Sequence, residues 1–413
     1  MVAPESAVVA PARTGSNFDN VRRSNLAAVL GMAHAQRRVS RAEITRATGL
    51  NRSTVGGLVA ELVELGLVEE REPGSTHHAG RPSPIIVPRE DVVAIAVNPE
   101  VDAVTIGLVS LSGKVLKRIR YDTARVPTPE EVVNIVAAVV AGMAGELQSS
   151  FRTVGVGLAV PGLVREQDGV VVLAPHLDWH NVPLAGMLGT ALGLPVAAAN
   201  DASTGLMAES LFGAGRGVLE HVYLNGGASG IGGGIAVEGR ILKGASGFAG
   251  EFGHALVNSA GKLCHCGAQG CLETEVRQEE LLEALGLGKS GLEELDSALR
   301  AQVSRPEGPD TGVLEVVHRQ MDFLADALRG TVNIFNPELI IFGGFLGTLY
   351  SADPHRMAQL VRSRALKGPS EDVRFARAEL GADLLLVGAA QLAFAPFLAD
   401  PASIILAGAG ASA

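Results

Sequence analysis

The chain has 413 residues, more than one hydrophobic core usually organises, which predicts two or three domains. Its residues are 47% hydrophobic and 19% charged, and 51 are glycine, which excludes a wholly disordered chain and suits an α/β protein with many tight turns. The net charge is −10, yet residues 1–90 carry 11 Arg, no Lys and 9 acidic residues, so the N-terminal part is mildly basic, as in a protein that touches nucleic acid at one end only.

Residues 24–88 predict a winged helix-turn-helix domain. Apolar residues recur at helical spacing in the first segment. A second helix is expected to begin at Ser40, with Glu43 completing a capping box, and a third at Asn51. The buried stripe of the third helix is expected to contain Val55, Leu58, Val59 and Leu62. The segment 67–87 then predicts a strand, a glycine-rich loop and a second strand, which together form the wing.

The third helix is expected to lie in the major groove of DNA, with its exposed first turn nearest bases and phosphates. That turn contains Arg52, Ser53 and Thr54, and Arg81 in the wing is expected to enter the minor groove or meet a phosphate. Consecutive glycines at 56 and 57 cost roughly 1 kcal/mol each relative to Ala, which we explain by close approach to DNA or to another helix. A protein-interaction module is the alternative for such a domain.

From residue 91 the pattern changes to strands alternating with helices. Three consecutive strands come first, and then a helix that begins at Thr128, where Glu131 completes a capping box. A strand ending in Pro161-Gly162 follows. The same order occurs again from about His221 to Gly344, which predicts two similar lobes facing a cleft. The last apolar stretch predicts a helix that packs back on the first lobe.

These patterns divide the chain into five parts. The ends are rich in Ala, Gly, Ser and Pro with little to bury, so they predict mobile tails. In chain order the predicted parts are a tail at 1–23, the DNA-binding domain at 24–88, a first lobe at 91–205 completed by 382–398, a second lobe at 206–381 and a tail at 399–413.

The cysteines indicate the compartment of the protein. All three lie within eight residues, from Cys264 to Cys271, too few and too close for a disulfide framework, which implies a reducing environment. The first residues show no basic segment followed by a continuous apolar one, and no stretch of 18 uncharged apolar residues predicts a membrane span. We therefore expect a cytoplasmic protein with no membrane partner.

The segment GEFGHALVNSAGKLCHCGAQGCLE, residues 250–273, carries the most specific signal. One imidazole and three thiolates are a complete tetrahedral zinc set, and such soft ligands favour zinc over magnesium or calcium. The candidate ligands are His254, Cys264, Cys266 and Cys271. The Cys-x-Cys spacing is tighter than usual, and buried free thiols are the alternative. We expect one structural zinc ion per chain.

With these residues the chain resembles the ROK family, which includes bacterial sugar kinases and the xylose and N-acetylglucosamine repressors. The resemblance runs from about Ser24 to Phe397. It is carried by the Glu-x-Gly-His motif ending at His254, by the cysteine cluster ending in Cys-Leu-Glu, by Asn-Asp at 200–201, and by the segments APHLDWHNVPL and NPELIIFGG. It implies an α/β, actin-like, two-lobed fold of the hexokinase type, with zinc on the four residues named above.

The resemblance also implies a sugar site in the cleft. Its side chains are Asn200, Asp201, Glu251, His254 and Glu273. Carboxylates accept hydrogen bonds from paired hydroxyls, and an amide both donates and accepts, so these residue types suit a sugar. His254 can bind zinc through one ring nitrogen and a sugar hydroxyl through the other, so the ion would fix the ring and not act as a Lewis acid. Asn200 and Asp201 also suit a helix cap, and the two roles are compatible.

In the kinases of this family, the counterpart of Asp201 is the general base that deprotonates the attacking sugar hydroxyl. Their first phosphate loop, Asp-x-Gly-Gly-Thr, is replaced here by Asn98-Pro99-Glu100-Val101-Asp102. Proline lacks a backbone donor, and Glu100 adds negative charge where polyphosphate would lie. The second loop, at 228–234, keeps its glycines, but a glycine-rich turn between strands is also a common structural feature. We therefore predict a sugar site without phosphoryl transfer, and no enzyme activity.

The sequence thus predicts a transcriptional repressor whose affinity for operator DNA changes when a sugar or sugar derivative closes the cleft. A homodimer or higher homo-oligomer is expected. Two alternatives stay open: an active sugar kinase with an appended DNA-binding domain, and a DNA-binding regulator controlled by a protein partner.

Overall fold

The computed structural model describes residues 18–72, 83–227 and 229–402. Contacts between these residues divide the chain into two compact units. The first unit contains the described residues up to Pro88 together with those from Phe397 onward, and the second contains residues 89–396.

The first unit combines three helices with a small antiparallel sheet. Its elements are α1 (Phe18–Gln36), β1 (Val39–Ser40), α2 (Arg41–Thr48), α3 (Arg52–Glu64), β2 (Val68–Arg71) and β3 (Ile85–Pro88). The strands are ordered β1-β3-β2, and both pairs are antiparallel. Three helices followed by a hairpin form a winged helix-turn-helix, so the predicted architecture of this domain is confirmed.

Side-chain caps set the starts of α2 and α3. The carboxylate of Glu43 accepts a 2.7 Å hydrogen bond from the backbone N–H of Ser40, whose hydroxyl accepts from the N–H of Glu43. Asn51 Oδ1 accepts a 2.8 Å hydrogen bond from the N–H of Thr54. Between the helices Gly49 has a φ of 70°, which residues other than glycine rarely adopt. Both predicted caps are confirmed.

The predicted N-terminal tail, residues 1–23, overlaps the first helix, whereas the predicted C-terminal tail begins at residue 399, where the last helix ends. Helix α1 already begins at Phe18, and Arg22 within it pairs with Glu61 of α3 at 2.9 Å. Arg23 pairs with Asp400 at 3.3 Å, which ties the C-terminal segment into the first unit. Ion pairs between residues so distant in sequence cannot be recognised from the local sequence. Composition alone therefore assigned the segments that contain Arg22, Arg23 and Asp400 to tails.

The first lobe of the second unit is built on a five-stranded sheet. Its elements are β4 (Val92–Pro99), β5 (Ala103–Ser110), β6 (Val115–Asp122), α4 (Pro129–Gly142), α5 (Ala144–Ser150), β7 (Arg152–Val160), β8 (Leu163–Arg165), β9 (Val170–Ala174), β10 (Trp179–Val182), α6 (Leu184–Leu192), β11 (Val196–Asn200) and α7 (Asp201–Phe212). The sheet order is β11-β7-β4-β5-β6, and β10-β9-β8 form a small separate sheet. Every residue of β4 and β5 is buried, as expected for strands covered on both faces.

The second lobe repeats this topology. Its elements are β12 (His221–Gly227), β13 (Gly230–Val237), β14 (Arg240–Ile241), α8 (Leu272–Glu275), α9 (Gln278–Ala284), α10 (Leu292–Val303), α11 (Thr311–Phe335), β15 (Leu339–Gly343), α12 (Gly344–Ala352), α13 (Pro354–Arg364), α14 (Lys367–Asp372) and β16 (Arg374–Arg377). The order is β14-β13-β12-β15-β16. In each lobe an antiparallel three-stranded meander is extended by two parallel strands, so the predicted duplication is confirmed.

The final helix, α15 (Leu384–Ala399), packs closely on the first lobe, as predicted. A Cβ atom at Gly157 would lie 1.7 Å from the carbonyl oxygen of Ala389, so only glycine permits this contact. By length and composition, Gly381–Ala399 is the one described helical segment that could cross a bilayer, or one of two if α4 and α5 are a single broken span. Half of it is buried inside the protein, and a buried core helix passes the same test.

Candidate functional site

Three thiols and one imidazole form a cluster in the segment between β14 and α8. Nδ1 of His254 lies 3.6 Å from Sγ of Cys264, and the Sγ atoms of Cys266 and Cys271 are 3.7 Å apart. All four candidate ligand atoms lie within 4.8 Å of one another. Zinc–sulfur bonds of about 2.3 Å in a tetrahedron place the ligand atoms about 3.8 Å apart. The cluster therefore has the size and the donor atoms that suit a tetrahedral zinc ion.

Tight backbone turns bring the cysteines together. The N–H of Cys264 donates a 2.8 Å hydrogen bond to the carbonyl of Ala268. Gly270 has a φ of 77°, and a Cβ there would lie 1.6 Å from the carbonyl oxygen of Asn258. A hydrogen bond from the backbone of Ala268 lowers the pKa of Cys266, whereas burial raises the pKa of Cys264. A bound cation would stabilise the buried thiolate that the protein alone disfavours.

Three of the predicted sugar-binding side chains lie beside this cluster. Nε2 of His254 is 4.0 Å from the carboxylate of Glu251, and its Nδ1 is 3.6 Å from that of Glu273. The side chain of Glu273 is only 8% exposed. Burial raises the pKa of Glu251, and the neighbouring charge of Glu273 raises it further. The two ring nitrogens of His254 thus face different groups, as the dual role predicted for this residue requires.

Asn200 and Asp201 lie where β11 ends and α7 begins. Asn200 Oδ1 accepts hydrogen bonds from the N–H groups of Ala202 and Ser203 at 2.8 and 3.1 Å, and so caps α7. Its Nδ2 donates to the carbonyl of Gly162 at 2.9 Å. The capping interpretation of Asn200 is therefore correct, and one amide hydrogen is left for a ligand.

Asp201 faces the cleft between the lobes. Burial raises its pKa to about 7, and the carboxylates of Glu251 and Glu100 contribute in the same direction. Asp201 lines a cavity of about 750 Å³ whose walls come from both lobes. The structure therefore places Asp201 in the cleft, next to the cap residue Asn200. Glu251, His254 and Glu273 form a second group, which does not line this cavity.

An ion-pair network joins residues 98–102, the segment that the sequence compares with the kinases' first phosphate loop, to β6. The guanidinium of Arg120 pairs with Glu100 at 2.8 Å, with Asp102 at 3.1 Å and with Asp122 at 2.9 Å. The hydroxyl of Thr105 donates a further 3.1 Å hydrogen bond to Glu100. Three carboxylates around one cation leave this network with a net negative charge.

The glycines of the second segment, 228–234, of which residue 228 lies outside the described part of the chain, are required by packing. A Cβ atom at Gly233 would lie 2.3 Å from the ring of Phe252. One at Gly234 would lie 2.9 Å from the side chain of Leu206. These glycines let β13 approach α7 and the segment that carries His254, which supports the structural interpretation of this motif.

Two histidines that the sequence analysis did not single out also belong to the site. Nδ1 of His265 lies 3.1 Å from the carboxylate of Glu273. The ring of His265 meets the rings of His254 and His176 edge to face, at centroid distances of 5.3 and 5.4 Å. His254, Cys264, His265 and Glu273 form a second set of ligand atoms within 4.8 Å. His265 could have been predicted from its position between Cys264 and Cys266. His176 is distant in sequence and meets His265 only in the folded protein.

The predicted DNA-contacting residues lie at the start of α3. Arg52 and Ser53 are exposed and Thr54 is partly exposed, while the predicted stripe of four apolar residues is buried. The hydroxyl of Ser53 donates a 2.7 Å hydrogen bond to Asn51 Oδ1. The fourth predicted contact, Arg81, lies outside the described residues.

The glycine pair in α3 lies on an open surface. A Cβ atom at Gly57 would meet no atom within 4 Å, and one at Gly56 would meet only the guanidinium of Arg41, at 3.5 Å. No second helix among the described residues therefore requires glycine at position 57. Contact with another helix of the described chain therefore does not explain glycine at position 57, and close approach to DNA stays a prediction.

Residues 94–395 match the model of the ROK family. The chain belongs to the ROK family. Residues 27–72 match the model of the IclR helix-turn-helix domain. The predicted combination of a ROK fold with an N-terminal helix-turn-helix domain is thus confirmed.

The relatives include repressors and kinases. The chain is 28% identical over 380 residues to the xylose repressor of Caldicellulosiruptor bescii, covering 88% of this chain and 93% of that protein. It is 33% identical over 317 residues to the glucokinase of Streptomyces coelicolor, covering 70% and 94%. The crystal structure of a ROK family transcriptional regulator, a homolog of the E. coli MLC protein, superposes with a TM-score of 0.73 at 24% identity, covering 92% and 97%. The xylose repressors support the predicted sugar-responsive repressor.

Proposed function

We propose that this ROK protein is a sugar-responsive transcriptional repressor that binds operator DNA through α3 and a sugar or sugar derivative in the cleft. One observation carries the proposal. Glu251, His254 and Glu273 lie together beside the cysteine cluster, and Asp201 lines the cleft. Arg120 joins Asp122 to Glu100 and Asp102, two residues of the segment compared with the kinases' first phosphate loop. Such an arrangement would retain side chains that bind a sugar and lack the glycine N–H groups that hold the phosphates of ATP in a kinase.

Operator binding is assigned to the first unit. Helix α3 would present Arg52, Ser53 and Thr54 to the major groove, and Arg81 would contact the minor groove or a phosphate. The excess of Arg over acidic residues in residues 1–90 supports this assignment, because phosphate contacts supply much of the affinity for DNA. We expect a cytoplasmic homodimer or higher homo-oligomer, which would read two half-sites related by its own symmetry.

Zinc would have a structural role, held by His254, Cys264, Cys266 and Cys271. The bound ion would stabilise three thiolates and contribute folding free energy to the segment that carries the sugar-binding carboxylates. Because His254 would bind the ion through Nδ1, its Nε2 would face Glu251 and a sugar hydroxyl in a fixed orientation.

The sugar would act by favouring the closed arrangement of the lobes. It can change operator affinity only by the difference in its own affinity for the two arrangements. Couplings of this kind are typically about 1–3 kcal/mol, which corresponds to roughly 5- to 150-fold in operator affinity. We expect release of DNA, as in an inducible repressor.

The second candidate function is an active sugar kinase with an appended DNA-binding domain, which the glucokinase relative favours. The network around Arg120 argues against this function, because a bound nucleotide would meet three carboxylates there and not glycine N–H groups.

The test combines operator titration with calorimetry. Duplexes selected from a random library by the full-length protein are titrated with and without each sugar that binds. We expect one sugar to shift operator affinity at least fivefold, and Asp201→Asn to weaken that sugar while leaving sugar-free operator binding unchanged. Arg52→Ala should relax operator specificity without affecting the sugar. A sugar that binds but leaves operator affinity unchanged would overturn the coupling, and failure of every sugar to bind would favour control by a protein partner.

A further inference from the structure

A separate cavity of about 260 Å³, here called the side cavity, lies next to Glu273. Its walls come from both lobes. His176, in the short 3-10 helix Pro175–Leu177, belongs to the first lobe, and His265 belongs to the second. The two imidazole rings meet edge to face at 5.4 Å and form a wall across the cleft.

A glycine keeps the passage from Glu273 to the side cavity open. Oε1 of Glu273 lies 3.1 Å from Nδ1 of His265. A Cβ atom at Gly230 would lie 2.5 Å from Oε2 of the same carboxylate and 3.9 Å from Nε2 of His176. Gly230 has a φ of 106°, so any larger residue there would be strained as well as obstructive. The carboxylate assigned to the sugar is therefore open towards the side cavity.

The charges that line the side cavity are balanced. Lys262 pairs with Glu280 at 2.9 Å, and Arg277 pairs with Glu279 at 3.5 Å. Lys262 and Arg277, which both line the cavity, thus each already face a carboxylate. A phosphate would have to displace these partners, whereas hydroxyl groups can bond to both members of each pair. The lining favours a neutral, hydroxyl-rich group over an anionic one.

We propose that the side cavity is a second subsite of the effector site and accepts a neutral, hydroxyl-rich substituent, such as a second sugar ring, carried by the sugar at Glu273. The proposal rests on the proposed function, which places the first ring at Glu273. A volume of about 260 Å³ falls just below the roughly 300–1,000 Å³ of pockets that enclose a drug-sized ligand, so it suits one ring and not a whole ligand. A ligand that reaches both histidines touches both lobes and so binds the closed arrangement best.

The subsite is tested by calorimetric titration of the full-length protein with D-xylose, D-glucose, xylobiose, cellobiose, maltose and glucose 6-phosphate. At least one disaccharide should bind roughly tenfold more tightly than its own monosaccharide, because the second ring adds hydrogen bonds in the cavity. Glucose 6-phosphate should show no gain over glucose. If no disaccharide exceeds its monosaccharide, or if only the phosphate gives a gain, the subsite assignment is overturned.

Variants assign the gain to the cavity. His176→Ala and the more conservative His176→Asn should each reduce the ratio of disaccharide to monosaccharide affinity by about fivefold or more. His180→Ala is the matched control, since His180 lies in the same segment with a side chain 64% exposed, and it should leave the ratio unchanged. If neither substitution at His176 lowers the ratio of disaccharide to monosaccharide affinity, the subsite assignment is wrong. Binding of monosaccharides without any gain from a second ring defeats only the subsite, whereas absence of all sugar binding defeats the proposed function as well.

Discussion

The guanidinium of Arg120 donates a 2.8 Å hydrogen bond to Oε2 of Glu100, across the outer strands of the first lobe. Asp102 and Asp122 complete the surroundings of the same guanidinium. These carboxylates raise the pKa of Arg120, so its charge is fixed at every accessible pH. The charge of Arg120 is therefore already neutralised by its neighbours and is not free to attract a phosphate.

We predict that the purified protein transfers no phosphoryl group from ATP to a sugar. With Mg²⁺, ATP and each sugar that binds, release of ADP should equal that of a sugar-free blank, while the Streptomyces coelicolor glucokinase serves as the positive control. Arg120→Ala should not create activity, because it leaves Glu100 and its neighbours as uncompensated negative charges. Sugar-dependent release of ADP by the unaltered chain would restore the kinase alternative.

Zinc content should be one atom per chain in protein purified without chelator. Cys266→Ser should lower it and reduce thermal stability, because the ion contributes to folding of its loop. Ser259→Ala, an exposed position of the same loop, should keep the full content. Elemental analysis of the three proteins makes the comparison. Full retention by Cys266→Ser would remove that residue from the ligand set and favour the second set, which includes His265 and Glu273.

Gly57→Ala should stabilise the protein and weaken its binding to DNA. A methyl group at position 57 meets no atom within 4 Å, and Ala is favoured over Gly in a helix by roughly 1 kcal/mol. The same methyl group would hold the helix away from the operator. Gly31→Ala in α1 is the control, since it is equally free of contacts and belongs to the same unit. Denaturant unfolding and operator titration of both variants decide the matter, and unchanged operator affinity in Gly57→Ala would rule out close approach there.

The pH dependence of stability should report the buried carboxyl of Asp201. Its pKa is about 7 in the folded chain and 3.8 ordinarily, so the folded state holds the proton more tightly. The stability from this group is fully present below about pH 4 and is lost as the pH rises through about 7. Wild type should therefore lose more unfolding free energy between pH 4 and pH 8 than Asp201→Asn does.

Denaturant unfolding at both pH values measures this difference. Asp178→Asn serves as the control because the side chain of Asp178 is 97% exposed, and it should follow wild type. Parallel pH profiles of wild type and Asp201→Asn would contradict the shifted pKa.

Local chemistry made much of the fold predictable. The capping boxes at Ser40 and Thr128 involve residues three apart, so the sequence contains all their partners, and both form as expected. The zinc candidates were predictable for the same reason, since three of the four lie within eight residues. Repetition of the strand order predicted the two lobes, which the identical sheet topologies confirm.

The contacts that the sequence did not predict depend on the register of paired strands and on how the two lobes meet. Arg120 reaches Glu100 because β5 and β6 pair with Thr105 opposite Arg120, a register that strand patterns alone do not fix. His176 meets His265 only when two lobes, separated by many elements along the chain, fold towards one cleft. The APHLDWHNVPL segment carried the family resemblance, but nothing local marked its first histidine as part of the site.

The ion pair between Arg23 and Asp400 joins opposite ends of the sequence within one folding unit. The DNA-binding unit is therefore not a continuous segment of the chain. A hybrid regulator made by grafting only the first 88 residues onto another effector domain would leave behind the C-terminal segment that completes the donor's DNA-binding unit. A graft that carries both residues up to 88 and residues 397–402 from the same parent should therefore retain this unit better than one that carries the first 88 residues alone.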